Sequence, residues 1–153
     1  MGFNVIPMDS SHVDKVCELE KSSFSSPWSR DDIEYQLDNA GSHFLVAVDT
    51  EKKTVAGYIG VQEISGEAYI TNIAVFKKFR RHGAGSLLLN TASDDAFARG
   101  CEFITLEVRE SNLPAIELYE KSGFERLGIR KNFYSNPEEN AIIYTLFNRN
   151  RKD

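Results

Sequence analysis

Two periodicities alternate along the chain. Apolar, β-branched-rich runs at residues 3–7, 43–48, 55–64, 68–76, 103–108, 124–134 and 141–147 have the length and residue types of strands. Between them, apolar positions recur at helical spacing. Asp9 or Ser10 opens a first helix through Val13, Val16, Cys17 and Leu19, and Ser25, Ser26 and Pro27 break it. A second helix starts near Ser29, with Asp31 and Asp32 where they complement the helix dipole. Residues 85–99 form a third through Leu88, Leu89, Ala92 and Ala96, closed by Gly100, and residues 112–122 a fourth, with Pro114 in its first turn and Gly123 after its end. The polar turn 49–53 predicts an antiparallel hairpin, Ser65-Gly66 a tight reversal, and the polar stretch 135–140 a last strand pair. The order predicts an α/β (α+β) fold with a mixed central sheet and helices on both faces. No repeat or linker divides residues 1–153, so a single domain is expected.

Composition narrows the function. Hydrophobic residues at 41% and charged residues at 27% are those of a globular chain. No apolar run approaches the roughly 20 residues of a membrane span, and the start MGFNVIPMDSSHVDK lacks the sections of a signal peptide, so a cytoplasmic protein with no membrane partner is expected. A net charge of -5 and a pI near 5.3 disfavour nucleic acid and favour a cationic or amine partner. Cys17 and Cys101 form no CxxC pair and read as buried small hydrophobes, and His12, His43 and His82 share no ligand spacing, so no metal is expected. Arg149, Arg151 and Lys152 read as a solvated tail.

The strongest chemical signal runs from Thr71 to Gly85: a strand, a basic turn with Lys77, Lys78, Arg80 and Arg81, two glycines and a helix start. Gly83 and Gly85 let backbone approach a bulky anion, and the unpaired N–H groups of the first helical turn point at it. A tight turn into an ordinary helix is the alternative. A P-loop is excluded because Ser86 and Leu87, not lysine, follow Gly85. A dinucleotide site stays a weak rival, since Glu107 lies about 20 residues beyond the turn, but Leu88 stands where a third glycine belongs.

The pattern Arg80-x-x-Gly83-x-Gly85 resembles the acetyl-coenzyme A motif of the GCN5-related N-acetyltransferase (GNAT) family. Five further blocks, Phe24-Ser25-Ser26-Pro27-Trp28-Ser29, Leu106-Glu107-Val108-Arg109, Ser111-Asn112, Leu118-Tyr119-Glu120-Lys121-Ser122-Gly123-Phe124 and Arg130-Lys131-Asn132-Phe133-Tyr134, resemble its RimI-type branch, bacterial enzymes that acetylate the N-terminal alanine of a ribosomal protein. The resemblance implies a GNAT-like, mostly antiparallel sheet. It implies pyrophosphate binding by backbone around Arg81, His82, Gly83, Ala84, Gly85 and Ser86, and contacts to acetyl-CoA from Ile73, Ala74, Val75, Arg80, Asn112 and Tyr119. It also implies a backbone oxyanion site at a bulge near Ile73 and Ala74, with Glu107 as base and Tyr119 as acid. The chain departs from the family at Lys77 and Lys78, where a proline or small polar residue is common, and at Glu139-Asn140-Ala141, where the branch has Glu-Asp-Ala.

The chemistry asks for such groups. An α-amino group with a pKa of about 7.7–8.0 must lose its proton before it attacks a thioester, and a thiolate whose acid has a pKa of about 8.5 leaves more easily beside a donor. Ile104, Leu106 and Val108 form the apolar face of their strand, which aims Glu107 to the other side with Phe103 and Thr105. A strand-end glutamate with an ion-pair partner is an equal alternative for Glu107, and plain core packing for Tyr119. Trp28, Tyr134, Glu138 and Glu139 could form an aromatic and acidic pocket for a cationic peptide N-terminus, although loop packing and a solvated turn compete. The activity expected is direct transfer from acetyl-CoA to an α-amine. Alternatives are a small-molecule amine acetyltransferase or a non-catalytic acyl-CoA-binding module.

Overall fold

In a computed structural model, which describes residues 1–150, the predicted elements appear in the predicted order: β1 (Phe3–Pro7), α1 (Val13–Ser23), α2 (Arg30–Asp38), β2 (Leu45–Asp49), β3 (Val55–Ile64), β4 (Glu67–Val75), α3 (Ala84–Ala98), β5 (Phe103–Arg109), α4 (Leu113–Lys121), β6 (Glu125–Tyr134) and β7 (Glu139–Phe147). They build one seven-stranded sheet in the order β1-β2-β3-β4-β5-β7-β6. Every pair is antiparallel except β4–β5, which α3 connects, and β7 lies between β5 and β6. Among the described residues, no helix is long and apolar enough to cross a membrane.

Local chemistry sets the helix starts. Asp9 accepts the Ser11 N–H at 2.8 Å, but it opens a 3-10 turn at Ser10–His12, so α1 begins three residues later than Ser10. Ser29 and Asp32 cap α2 reciprocally at 3.1 Å. His43 and Phe44 lie outside β2. The His43 N–H nonetheless donates to the Val61 carbonyl at 2.7 Å.

Helices cover the sheet unequally. On one face, Leu88, Leu89, Ala92 and Ala96 of α3 and Tyr119 of α4 pack on strand residues including Ile59, Ile104 and Leu106. On the other, Val13, Val16, Leu19 and Ile33 pack on Phe44, Val46, Tyr58 and Ala74. Among the described residues, no residue of β5, β6 or β7 belongs to this second cluster, so the far half of that face has no helix over it. Cys101 is buried as expected, whereas Cys17 is only partly buried at the edge of the α1–α2 cluster. Arg149 stacks its guanidinium 4.3 Å over the Phe147 ring and is no free tail residue. Arg151 and Lys152 lie outside the described residues.

The expected bulge is present, but at a different place. The β3–β4 register passes from Gly60↔Asn72 to Val61↔Ile70, which leaves Thr71 as the extra residue, two positions before Ile73. Gly60 is what allows it: a Cβ there would stand 2.5 Å from Phe44 Cζ and 2.6 Å from Thr71 Oγ1. Gly60→Ala is expected to cost about 1–3 kcal/mol through overpacking. The readout is a lower urea midpoint at unchanged slope; an unmoved midpoint would mean that Phe44 yields freely.

Candidate active site

Beyond Tyr69, β4 loses its second neighbour. It pairs with β5 only at Glu67↔Phe103, Ala68↔Ile104 and Tyr69↔Thr105, so the edge from Ile70 to Val75 has no strand beside it. Ile73 and Val75 lean on the α3-side core, while Ala74 faces the α1–α2 cluster and offers only its main chain to the gap. The Thr71 hydroxyl is buried here without a partner.

The turn after β4 is pinned from below. The Phe76 N–H donates to the Ala56 carbonyl at 2.8 Å, Lys77–Phe79 form a 3-10 turn, and Phe79 is buried edge-on against Phe3. Arg80 Nε donates to the Val75 carbonyl at 2.9 Å, which ties the turn to the end of the strand. Arg81 (φ 66°) and Gly83 (φ 86°) are both left-handed, and Gly83 begins α3 without a side-chain cap. The N–H groups of Ala84, Gly85 and Ser86 therefore lack intrahelical acceptors and face outward with the positive end of the helix dipole. A Cβ on Gly83 would meet nothing within 4 Å, so backbone conformation demands that glycine. A Cβ on Gly85 would lie 3.4 Å from Leu118, in the seam between α3 and α4. Free amide hydrogens, two exposed arginines and a bare strand edge suit a long diphosphate carrier laid along β4. The 3-10 turn and five further residues between β4 and α3 do not suit a tight dinucleotide crossover.

Glu107 lies on the face without helices. Ile104, Leu106 and Val108 are buried under α3 and α4, and the Glu107 carboxylate points the other way, 8% exposed. It accepts from the Tyr69 hydroxyl and, at 3.0 Å, from Arg130 Nε. The outward carboxylate and the ion-paired strand-end glutamate are thus both present. Tyr119 is buried against the rings of Phe124 (6.0 Å) and Tyr144 (6.2 Å). Burial, and then the neighbouring Tyr134 phenol, push its hydroxyl well above the usual tyrosine range, which keeps it protonated and able to donate. Burial and the Glu107 charge push Tyr134 up to about 12, with Arg109 opposing.

The other expected site residues make their contacts in two groups. Trp28 packs on Phe44 at 5.9 Å, and its N–H donates to Glu20 Oε1 at 2.8 Å, within the α1–α2 cluster. Tyr134 and Glu139 belong to a different group, around Arg109. Glu139 is already engaged: it pairs with Arg109 at 3.2 Å and accepts the Ser111 N–H at 2.7 Å. Hydrogen bonds from Ser111, then Arg109, hold its carboxyl below the usual range. It ties the β6–β7 turn to β5 and to the start of α4. Glu138 is exposed in that turn. Asn112 caps α4 by accepting the Ala115 N–H at 3.3 Å.

Four polar residues here escape sequence reasoning. Arg109 follows Glu107 by two and shares its face, which strand alternation could have flagged. Tyr69 and Arg130 reach Glu107 only because β4 and β6 come near β5 in the fold, a pairing with no local signal. Glu20 sits fully buried, bonded by the Tyr58 hydroxyl, Asn72 Nδ2 (3.1 Å) and the Trp28 N–H. Its place in an amphipathic helix gives no hint of that.

An uncapped, glycine-turned helix start beside a split sheet is the geometry to compare with known proteins, and that comparison gives the class. Residues 13–124 match the model of the acetyltransferase (GNAT) family, and the chain belongs to that family. It is an acetyl-CoA-dependent N-acetyltransferase. The chain is 34% identical over 136 residues to the ribosomal protein bS18-alanine N-acetyltransferase of Haemophilus ducreyi, covering 87% of this chain and 92% of that protein. The Escherichia coli K12 enzyme of the same name is 33% identical over 141 residues, 91% of this chain and 93% of that one. The crystal structure of the Escherichia coli ribosomal-protein-S18-alanine N-acetyltransferase superposes with a TM-score of 0.85 at 29% identity, over 95% of this chain and 93% of that chain. Arabidopsis thaliana NAA60 in complex with acetyl-CoA shares the fold at 16% identity, with a TM-score of 0.86 over 96% and 99% of the two chains. Among the described residues, no group of three or more His, Cys, Asp or Glu could hold a metal ion.

Two outcomes are expected. Gly83→Ala should lose about 1–2 kcal/mol of stability from its left-handed backbone and bind acetyl-CoA more weakly by calorimetry; unchanged affinity would separate this turn from the cofactor. For Glu139, a folded pKa below the free-chain value means that its stabilisation is present above about pH 4.3 and is lost as the pH falls below it. Glu139→Gln should therefore flatten the loss of stability in acid, and parallel pH–stability curves for variant and wild type would rule this out.

Proposed function

We propose that this chain, as a single cytoplasmic domain, moves the acetyl group of acetyl-CoA onto the N-terminal alanine of a ribosomal protein. The names of its relatives at 33% and 34% identity motivate the acceptor. The observation that carries the chemistry is the position of Glu107: its carboxylate stands on the helix-free face, just past the point where β4 and β5 part.

Acetyl-CoA, when bound, supplies an acyl thioester within that gap. The phosphate end is held by the amide hydrogens from Arg81 to Ser86, with the charges of Arg80 and Arg81 nearby, and the chain lies along Ile73, Ala74 and Val75. Asn112 shapes the start of α4 beside it. The acceptor comes from the opposite, helix-free face, past Trp28 on one side and Tyr134 on the other. Glu107 takes the ammonium proton, directly or through one water, while Arg130 and Tyr69 hold the carboxylate in place. Tyr119 keeps its proton at neutral pH and donates toward the departing sulfur.

Glu107→Gln should lower kcat on the order of 10²–10⁴-fold with little change in acetyl-CoA affinity by calorimetry. An unaltered rate would remove Glu107 from the mechanism. Intact-mass spectrometry of alanine-starting peptides beside small amines tests the acceptor: one added acetyl on the peptide α-amine is expected, and acetylation of polyamines alone would overturn it.

A further inference from the structure

Arg109 spends its guanidinium on a single turn. It stands at the end of β5, two residues beyond Glu107 and on the same face. Nη1 donates to the Pro137 carbonyl at 2.9 Å and to Glu139 Oε1 at 3.2 Å, and Nη2 donates to the Ser135 carbonyl at 3.0 Å. The guanidinium lies 4.5 Å over the Tyr134 ring. The other Glu139 oxygen accepts the Ser111 N–H, so the cluster also reaches the segment that leads into α4.

The turn needs such an anchor. Residues 135–138 are all exposed, so apolar burial contributes little to holding them between β6 and β7. A planar fork that meets two carbonyls and a carboxylate while stacking on an aromatic ring is a task for arginine; lysine, a point charge on a flexible stem, cannot do all of it.

We propose that Arg109 is a positioning residue that fixes the 135–138 turn and the Tyr134 ring beside Glu107, and so sets how tightly an incoming peptide amine is held, without touching the peptide or the acetyl donor. This rests on the acetyl-transfer reading above. The effect falls on the acceptor side because the cluster shares the helix-free face with Glu107, whereas the donor turn at Gly83 and the Gly85 seam with Leu118 belong to the α3–α4 side.

The experiment uses the full chain with Arg109→Met, which keeps bulk, Arg109→Lys, which keeps charge, and Arg109→Ala. Hydrogen exchange at residues 135–140 is expected to speed up about tenfold in all three, with the cooperative unfolding midpoint still measurable. Against an alanine-starting peptide, KM for the peptide should rise about tenfold while KM for acetyl-CoA stays within about twofold. Added guanidinium ion should lower the peptide KM of Arg109→Ala and leave that of wild type unchanged. Lysine should not restore it. If Arg109→Met fails to fold, Arg109→Lys carries the same measurements. Unchanged exchange in the turn, or equal rises in both KM values, would overturn the inference. A wild type inert toward every amine would overturn the transfer reading and the acceptor half of this inference, while exchange in the turn would still decide whether Arg109 holds it.

Discussion

β4 follows β3 along its length, but it stays beside β5 for only three residue pairs. That early parting is the constraint on which the site depends. The extra residue Thr71 bends β4 just after its last pairing with β5, and Gly60 provides the space for the bend. A sheet whose central strands stayed paired would leave no backbone free to take a ligand, because each N–H and C=O would already be spent on the ladder. Here a stretch of strand edge is left over in the middle of an otherwise continuous core.

The two faces of the gap then divide the work. Toward α3 and α4 lie the uncapped helix start, the left-handed turn and the Gly85–Leu118 seam, all backbone and small side chains, suited to a long anionic carrier. Toward the other face lie side chains: Glu107 with Tyr69 and Arg130, then Tyr134 with Arg109 and Glu139. α1 and α2 stop short of this half of the sheet, so these side chains are not covered by a helix. Tyr119, rooted in the core on α4, packs on Phe124 and Tyr144.

Charge is balanced locally. Glu107 and Glu139 each keep an arginine and a neutral donor, so neither is a bare anion despite partial burial. Glu20 differs: a tyrosine hydroxyl, an asparagine amide and a backbone N–H satisfy its oxygens. Those bonds join the α1–α2 loop at Trp28 to β4 at Asn72, beside the bulge.

Much of this was legible in the residues. Strand and helix periods, the Ser29 cap, the turn from Arg80 to Gly85 and the outward side of Glu107 are local properties, set by φ/ψ preferences, capping chemistry and side-chain alternation within a few neighbours. What joins β4, β5, β6 and β7 is not local. Insertion of β7 between β5 and β6, the shift of the bulge to Thr71, the placing of Tyr69 and Arg130 on Glu107, and the pairing of Glu139 with Arg109 all depend on which strands become neighbours. Burial of whole faces decides that, summed over side chains far apart in sequence, so local preferences name the candidate groups and only packing chooses their partners.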